Sequence, residues 1–318
     1  MKFYENIEAE RDRIQACINK FGHTSDHNLD WWFCSAISPD SLPVFIEWSD
    51  GSGLLAHHSK NEWRIWSDPV SVEEDMAGRI EEFSLEIFKD KDIKVFWCDD
   101  VSDSIYPKLK NLLSPVFELS PRRDIEYPDQ RENFLTYYRL FWPVLEMSKY
   151  NSSLPGGHFK RIRNARSKFY REHDVKVLKT SDLNQGELLK IVDDWKTVVS
   201  KKQKEDVRDL RYRLTIENGF RGFVTARAMI VDGRPVGINA GYEVPNHTGR
   251  FTSVIGMHDY SVKDLGVALY LEDLDWVKNA GYKEFDLQGT EYEWEVRVKT
   301  QYGAVIERKT DTFSIIKK

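Results

Sequence analysis

Between Gly222 and Leu287 the chain passes through three strand-like runs, Gly222 to Ile230, Pro235 to Val244 and Arg250 to His258, separated by Asp232-Gly233 and by Pro245-Asn246-His247. Turns this short leave consecutive strands only one arrangement, side by side and antiparallel. A helical stretch from about Val262 to Ala280 follows, closed by Gly281, the residue type that most readily ends a helix. Lys283 to Leu287 then reads as one further strand, reached through a helix as parallel strands are. The region therefore predicts a mixed sheet, antiparallel at first and parallel at its close. Upstream of it, after the turn-rich Ser152 to Gly157, lie a basic helix, a short strand over Val175 to Leu178, and two helical stretches between about Asp182 and Asn218.

The first half of the chain approximates the same order. Ile7, Ile14, Ile18 and Phe21 recur at helical spacing. Leu42 to Trp48, Gly53 to His57 and Trp63 to Trp66 form a second meander. Ser71 and Glu74 have the spacing of a capping box, ahead of a helix carrying Ile80, Phe83, Ile87 and Phe88 on one face, and Asp92 to Cys98 is the next strand. With 318 residues the chain exceeds the size at which single cores stop growing. Two domains are expected, over residues 1–150 and 151–318.

Charge divides the halves as well. Residues 1–157 carry 17 Lys and Arg against 28 Asp and Glu, and the remainder 29 against 24, so an anionic ligand is drawn to the second half. The densest basic segment runs from His158 to His173, with Lys160, Arg161, Arg163, Arg166, Lys168 and Arg171 against a single acid, Glu172. Phe159, Ile162, Ala165 and Phe169 fall near one face of the same helix. Cations this close repel one another unless anions lie nearby. Those anions are either phosphates of RNA or of a nucleotide, or carboxylates of the protein itself, and the spacing leaves both open.

Two further segments carry chemistry. Lys263, Leu265, Gly266, Val267 and Ala268 open the helix before the Lys283–Leu287 strand, where free backbone N–H groups and small side chains favour an anion. An ordinary helix start fits the same residues. Asp286 ends that strand, the end at which open α/β sheets bind ligands, which makes it a candidate for holding an amine or acting as a base. The alternative role for Asp286 is to cap the next helix.

Taken in order, the run from Trp142-Pro143-Val144-Leu145 through the basic helix, then Gly281 to Gly289, then Lys299-x-x-Tyr302-Gly303, resembles the C-terminal soluble domain of phosphatidylglycerol lysyltransferases. It is similar, more distantly, to the Fem-type aminoacyltransferases, whose closing motif is Phe-Lys-x-x-Phe-Gly. The resemblance implies an α/β (mixed α+β) chain of two tandem GNAT-like domains, each a mixed, mostly antiparallel sheet flanked by helices. The first would be degenerate, and the second would carry the basic helix and the active site. The implied activity is transfer of an aminoacyl group from aminoacyl-tRNA to a hydroxyl or amine acceptor, which needs no cofactor. Arg161, Arg163, Arg166, Lys168, Lys299 and Tyr302 would contact the substrate, and Asp286 and Glu291 would supply the base. Lys263-x-x-Gly266-x-Ala268 is also similar to the pyrophosphate turn of GNAT enzymes, which keeps acyl-CoA as an alternative donor. A non-catalytic binding module on the same scaffold is the third reading.

Other classes find no support. Hydrolase, kinase and dehydrogenase fingerprints are missing from the sequence. Cys17, Cys34 and Cys98 lie far apart, as buried free thiols do. No run is long and apolar enough for a transmembrane segment, and the first residues lack the apolar stretch of a signal peptide, so a cytoplasmic location is expected. The expected partners are aminoacyl-tRNA and a small-molecule, lipid-headgroup or peptide acceptor, with no DNA and no metal.

Overall fold

The computed structural model describes residues 1–113, 115–121, 139–203 and 208–318. In chain order the elements are β1 (Lys2–Tyr4), α1 (Arg11–Phe21), α2 (Leu29–Ala36), β2 (Ser41–Glu47), β3 (Gly53–Ser59), β4 (Glu62–Ile65), α3 (Met76–Ile87), β5 (Val95–Ser102), α4 (Ile105–Leu113), β6 (Phe117–Pro121) and β7 (Arg139–Glu146). There follow α5 (Lys160–Glu172), β8 (Val175–Lys179), α6 (Gln185–Gln203), α7 (Leu210–Glu217), β9 (Thr225–Val231), β10 (Arg234–Glu243), β11 (Arg250–His258), α8 (Leu265–Asn279), β12 (Glu284–Asp286), α9 (Glu293–Thr300) and β13 (Val305–Lys317). Two compact units emerge: residues 1–144 with 244–248 and 287–318, and residues 145–243 with 249–286.

This partition differs from the 1–150 and 151–318 division expected from the sequence. The difference has a physical source in β13, a 13-residue strand that pattern reading missed. It is antiparallel to β5, β6 and β7, so its hydrogen bonds tie the end of the chain to the first unit.

In the first unit, β1 to β4 pair in sequence as an antiparallel meander. β5 then joins β4 in parallel and β13 on its other side. Side chains alternate between two buried faces. Val44, Ile46, Leu54 and Ala56 pack with Ile80 and Phe83 of α3 and Leu109 of α4. Their neighbours Phe45 and Leu55 pack with Ile14 and Ile18 of α1 and Trp32 of α2. Helices thus cover both faces, and the strands read as near-continuous apolar runs. The expected capping box at Ser71 does not form. Its hydroxyl donates to the Val72 carbonyl, a short 3-10 turn over Glu73–Asp75 intervenes, and α3 starts only at Met76.

In the second unit, β8, β9, β10 and β11 are antiparallel neighbours, and β12 adds to β11 in parallel. The β9–β10 turn is Asp232-Gly233, with φ of 51° and 80°, the paired positive values of a two-residue hairpin and the reason Gly stands second. Phe169 of α5 and Leu265, Ala268 and Leu269 of α8 pack on Met229, Val231 and Val236. Asn239 of β10 donates to the Leu269 carbonyl of α8 at 2.9 Å. By alternation Ile238, Ala240 and Tyr242 face the opposite way. α6 packs on β10 and β11, burying Leu188, Ile191 and Val192 at helical spacing.

Candidate active site

In the first unit, β13 runs beside β7 with Arg308 opposite Trp142, and the guanidinium lies 3.7 Å from the centre of the indole. Trp142 Nε1 donates to Thr310 Oγ1 at 2.9 Å, which fixes the ring. The segment from Leu287 to Glu291 is laced along β7: Leu287 N donates to the Pro143 carbonyl, and Phe141 and Thr290 exchange main-chain bonds of 2.9 and 3.0 Å. Gly289 permits this approach, because a Cβ there would stand 2.6 Å from the Trp142 ring.

That lacing positions Glu291. Burial raises the proton affinity of its carboxyl, Glu295 adds to the effect, and a main-chain N–H and Lys299 oppose it. Lys299 donates to the Gln288 carbonyl at 3.0 Å and lies 3.9 Å from Glu295. Three residues on, Tyr302 is buried, and burial pushes its phenol up to about 12. Of the residues picked from sequence, the structure brings Glu291 and Lys299 within electrostatic reach of each other.

Next to them stands a group that sequence reading passed over. Along β5, Cys98 pairs with Phe313 and Val101 with Asp311, so Asp99 and Asp100 together oppose Thr312. This is a β-bulge, a device that re-aims side chains and is common beside active sites. Asp100 takes φ of 59°. Asp99 lies 3.1 Å from Arg64, and Asp26 lies 3.3 Å from Arg308. Asp100 faces Asp26, Asp99, Glu291 and Arg308; burial first, and then the other carboxylates, hold its carboxyl well above the ordinary range. Cys98-Asp99-Asp100 carries the same sequence signal as Asp286, a carboxylate at the end of an apolar strand.

His23 and His27, four residues apart, pack edge to face at 4.6 Å. The His27 Nε2–H donates to the Asp68 carbonyl at 2.9 Å, and its Nδ1 accepts the His23 N–H at 3.0 Å. Burial lowers His27 to about 3, so the ring is neutral with both nitrogens engaged. Among the described residues no group of three His, Cys, Asp or Glu side chains could hold a metal ion.

The second unit holds the remaining candidates. Asp286, 4% exposed, sits at the end of β12, where its carbonyl accepts the Thr252 hydroxyl at 3.3 Å. The next helix, α9, begins only at Glu293 with Tyr292 at its cap position, so Asp286 does not cap it. At the start of α8, Lys263 is exposed, Leu265 and Ala268 are core residues, and Gly266 and Val267 are half-buried. A pyrophosphate would need open N–H groups there. Ahead of that start, Ser261 N donates to Asp259 Oδ1 at 2.8 Å, and the His258 ring lies 3.0 Å from where a Gly266 Cβ would be. Burial alone would raise Asp259, but the Ser261 bonds and Arg234 outweigh it and hold the carboxylate below its usual range. The chain's own carboxylate and imidazole thus stand near this helix start, whose cap residue Asp264 makes no side-chain cap.

On α5, Arg163 donates to the carbonyls of Leu154 and, at 2.7 Å, Gly156, and Arg166 donates to the Ser152 carbonyl at 3.0 Å. Arg166 also lies 3.6 Å from Asp275 of α8, and Lys168 lies 3.8 Å from Glu172. Arg166, Ser167 and Tyr170 face Leu271, Glu272 and Asp275 across a cleft of about 380 Å³. Lys160, Arg161 and Arg171 remain exposed. Deeper in the unit, Arg227 is saturated: it bonds Glu272 at 3.0 and 3.1 Å, Asp273 at 2.7 Å and Thr225 at 3.0 Å, and lies 4.2 Å from the centre of the Trp276 ring.

No protein-family model matches the chain. No curated protein matches it either. Solved structures do. The chain is similar to the C-terminal domain of a putative lysylphosphatidylglycerol synthetase from Agrobacterium fabrum, at 12% identity over 97% of this chain and 91% of that one, TM-score 0.62. It is similar to FemX at 10% identity over 99% and 97% of the two chains, TM-score 0.61. A tandem GNAT protein from the clavulanic acid biosynthesis pathway matches at 10% identity over 98% and 97%, TM-score 0.56. At such identities the likeness establishes the fold: tandem GNAT-like domains of mixed, mostly antiparallel sheet flanked by helices, as expected from the sequence. Among the described residues no helix is long and apolar enough to cross a membrane.

Proposed function

We propose that this chain is an acyl-group transferase that passes an aminoacyl group from aminoacyl-tRNA to a hydroxyl or amine acceptor, in the cytoplasm where charged tRNA resides. The observation that carries the reading is Glu291, an enclosed carboxyl with raised proton affinity, laced to β7 beside the cation of Lys299. An aminoacyl ester is already activated, so its transfer needs positioning, stabilisation of an oxyanion and removal of one proton. Glu291 is the base for that proton, and Lys299 is the cation nearest to it for the oxyanion. The name of the Agrobacterium fabrum relative, a lysyl lipid synthetase, supports an aminoacyl donor and a lipid-headgroup acceptor.

Phosphate contacts fall to the exposed Lys160, Arg161 and Arg171, since Arg163 and Arg166 already serve main-chain carbonyls. Asp286 is held in reserve as a group for an amine. An acyl-CoA donor is the second reading, less favoured because the Asp259 carboxylate lies just ahead of that helix start.

The test is direct. Aminoacyl-tRNA should bind at low salt, and in single-turnover mixtures its aminoacyl group should pass to one member of a panel of hydroxyl and amine acceptors. Absence of tRNA binding at low salt ends the tRNA reading. Stabilisation by acetyl-CoA in excess, of the order of 2–4 kcal/mol in a thermal-shift experiment, would favour the coenzyme instead.

A further inference from the structure

Asp100 lies among three other carboxylates, Asp26, Asp99 and Glu291. The cations nearby are already matched to other acids: Arg308 to Asp26 at 3.3 Å, Arg64 to Asp99 at 3.1 Å, and Lys299 to Glu295 at 3.9 Å with Glu291 in reach. Among the described residues no ion pair or hydrogen bond is left for the Asp100 carboxyl. A partly enclosed carboxylate with no ion pair or hydrogen bond of its own, three like charges around it and only Arg308 opposing them is relieved by taking up a proton. The setting is not accidental in the fold. Asp99 and Asp100 form the β-bulge opposite Thr312, which breaks the alternation of β5 at the position where Asp100 meets Arg308 and Glu291.

We propose that Asp100 is a protonated carboxylic acid in the resting protein and that it gives this proton to the leaving oxygen of acyl transfer while Glu291 takes the acceptor's proton. The use of the proton rests on the acyl-transfer reading above; its presence does not. In the transfer, the acceptor oxygen or nitrogen bonds the acyl carbon and its proton passes to Glu291. The ester C–O bond then breaks, and the leaving alkoxide takes the Asp100 proton. One proton returning from Glu291 to Asp100 restores the starting state with no net gain or loss. Two carboxyls held apart in proton affinity by their surroundings are the usual form of an acid and base pair.

The experiment has two arms on the full chain. In the first, aspartate carboxyl carbons are labelled with ¹³C and titrated by NMR without substrate. Besides Asp273, which burial raises to about 6, one aspartate carboxyl should titrate well above the ordinary value of about 3.9. It should vanish in Asp100→Asn, move down in Glu291→Gln, where a neighbouring negative charge is lost, and move up in Arg308→Met, where a positive one is lost. If Asp100→Asn fails to fold, the opposite displacements in the other two variants carry the assignment. No second high-titrating carboxyl beside Asp273, or one indifferent to Glu291→Gln, overturns the proposal. In the second arm, single-turnover transfer from aminoacyl-tRNA by Asp100→Asn should be slower by about 100-fold and should lose the fall in rate on the alkaline side. An unchanged rate and profile would remove the acid role. Failure of the unaltered protein to transfer at all would remove the functional reading together with that role, while the NMR arm would still decide whether the proton is there.

Discussion

Both units bury ionic groups beside their sheets, and the two clusters are built on opposite rules. In the second unit one guanidinium, Arg227, is shared by Glu272 and Asp273 and further held by Thr225 and the Trp276 face, so each of its three nitrogens has an acceptor. In the first unit Asp26, Asp99, Asp100 and Glu291 face Arg308, Arg64 and Lys299, and Asp100 is left with no ion pair of its own. A cluster of matched pairs holds the fold. A cluster with a surplus acid can hold or release a proton at little structural cost. The contrast separates scaffold from chemistry where burial alone does not, since both clusters are largely enclosed.

The contrast breaks most sharply at Arg227. Arg227→Met leaves two carboxylates in the second unit without their cation, and such a loss costs about 3–5 kcal/mol. Urea unfolding of that variant should show the loss as a lower midpoint at constant slope. Arg308→Met, in the cluster that already carries a surplus acid, should cost clearly less. Equal losses at the two sites would erase the distinction.

A smaller effect is expected in the pH dependence of stability, with opposite signs at Asp273 and at His27. Burial raises Asp273 to about 6, against the partial opposition of Arg227, so between the unfolded value near 3.9 and about 6 the folded state binds more protons. This group therefore stabilises the fold below that window and loses its contribution as pH rises through it. Burial lowers His27 to about 3, so from the unfolded value near 6.5 downward the folded state binds fewer protons and stability falls as pH falls. Asp273→Asn should remove the first slope and His27→Gln the second, each an effect on the order of 1–3 kcal/mol between pH 4 and 7. Denaturant midpoints measured across that range read both, and a slope unchanged in its own variant contradicts the assignment.

How much of this was legible beforehand depends on range. Local signals worked: β11 spans Arg250–His258 as expected, and α5 covers the basic run. Asp232-Gly233 forms its hairpin because two adjacent positive φ values suit those residues. What depended on distant partners did not show. Val305 to Lys317 carries charged and polar residues through Arg308, Lys309 and Asp311, and only pairing with β5 and β7 makes it a strand. The short α2 was hidden because Trp31-Trp32 reads equally well as strand or helix until Asn28 accepts the Trp31 N–H and caps it. Glu291 and Lys299 were picked on a resemblance. Asp26, Asp99, Asp100 and Arg308 were not, because residues as far apart as 26 and 308 are joined only by the strand order of the first unit.

The smallest expected effect concerns the surface of the second unit rather than its interior. If saturation marks structural cations, then the arginines of α5 already divide. Arg163 and Arg166 hold the Ser152–Gly156 turn, and Lys160 and Arg161 are free to meet phosphate. Lys160→Ala with Arg161→Ala should leave the unfolding midpoint nearly unchanged and reduce the salt dependence of tRNA binding by a log–log slope of about 1–2, since each released phosphate contact contributes about 0.7–0.9. Arg163→Ala should do the reverse, lowering the midpoint and leaving the salt slope nearly intact. Should the slope follow Arg163 instead, the main-chain bonds of that guanidinium yield to the ligand, and saturation in the free protein no longer predicts which cations bind.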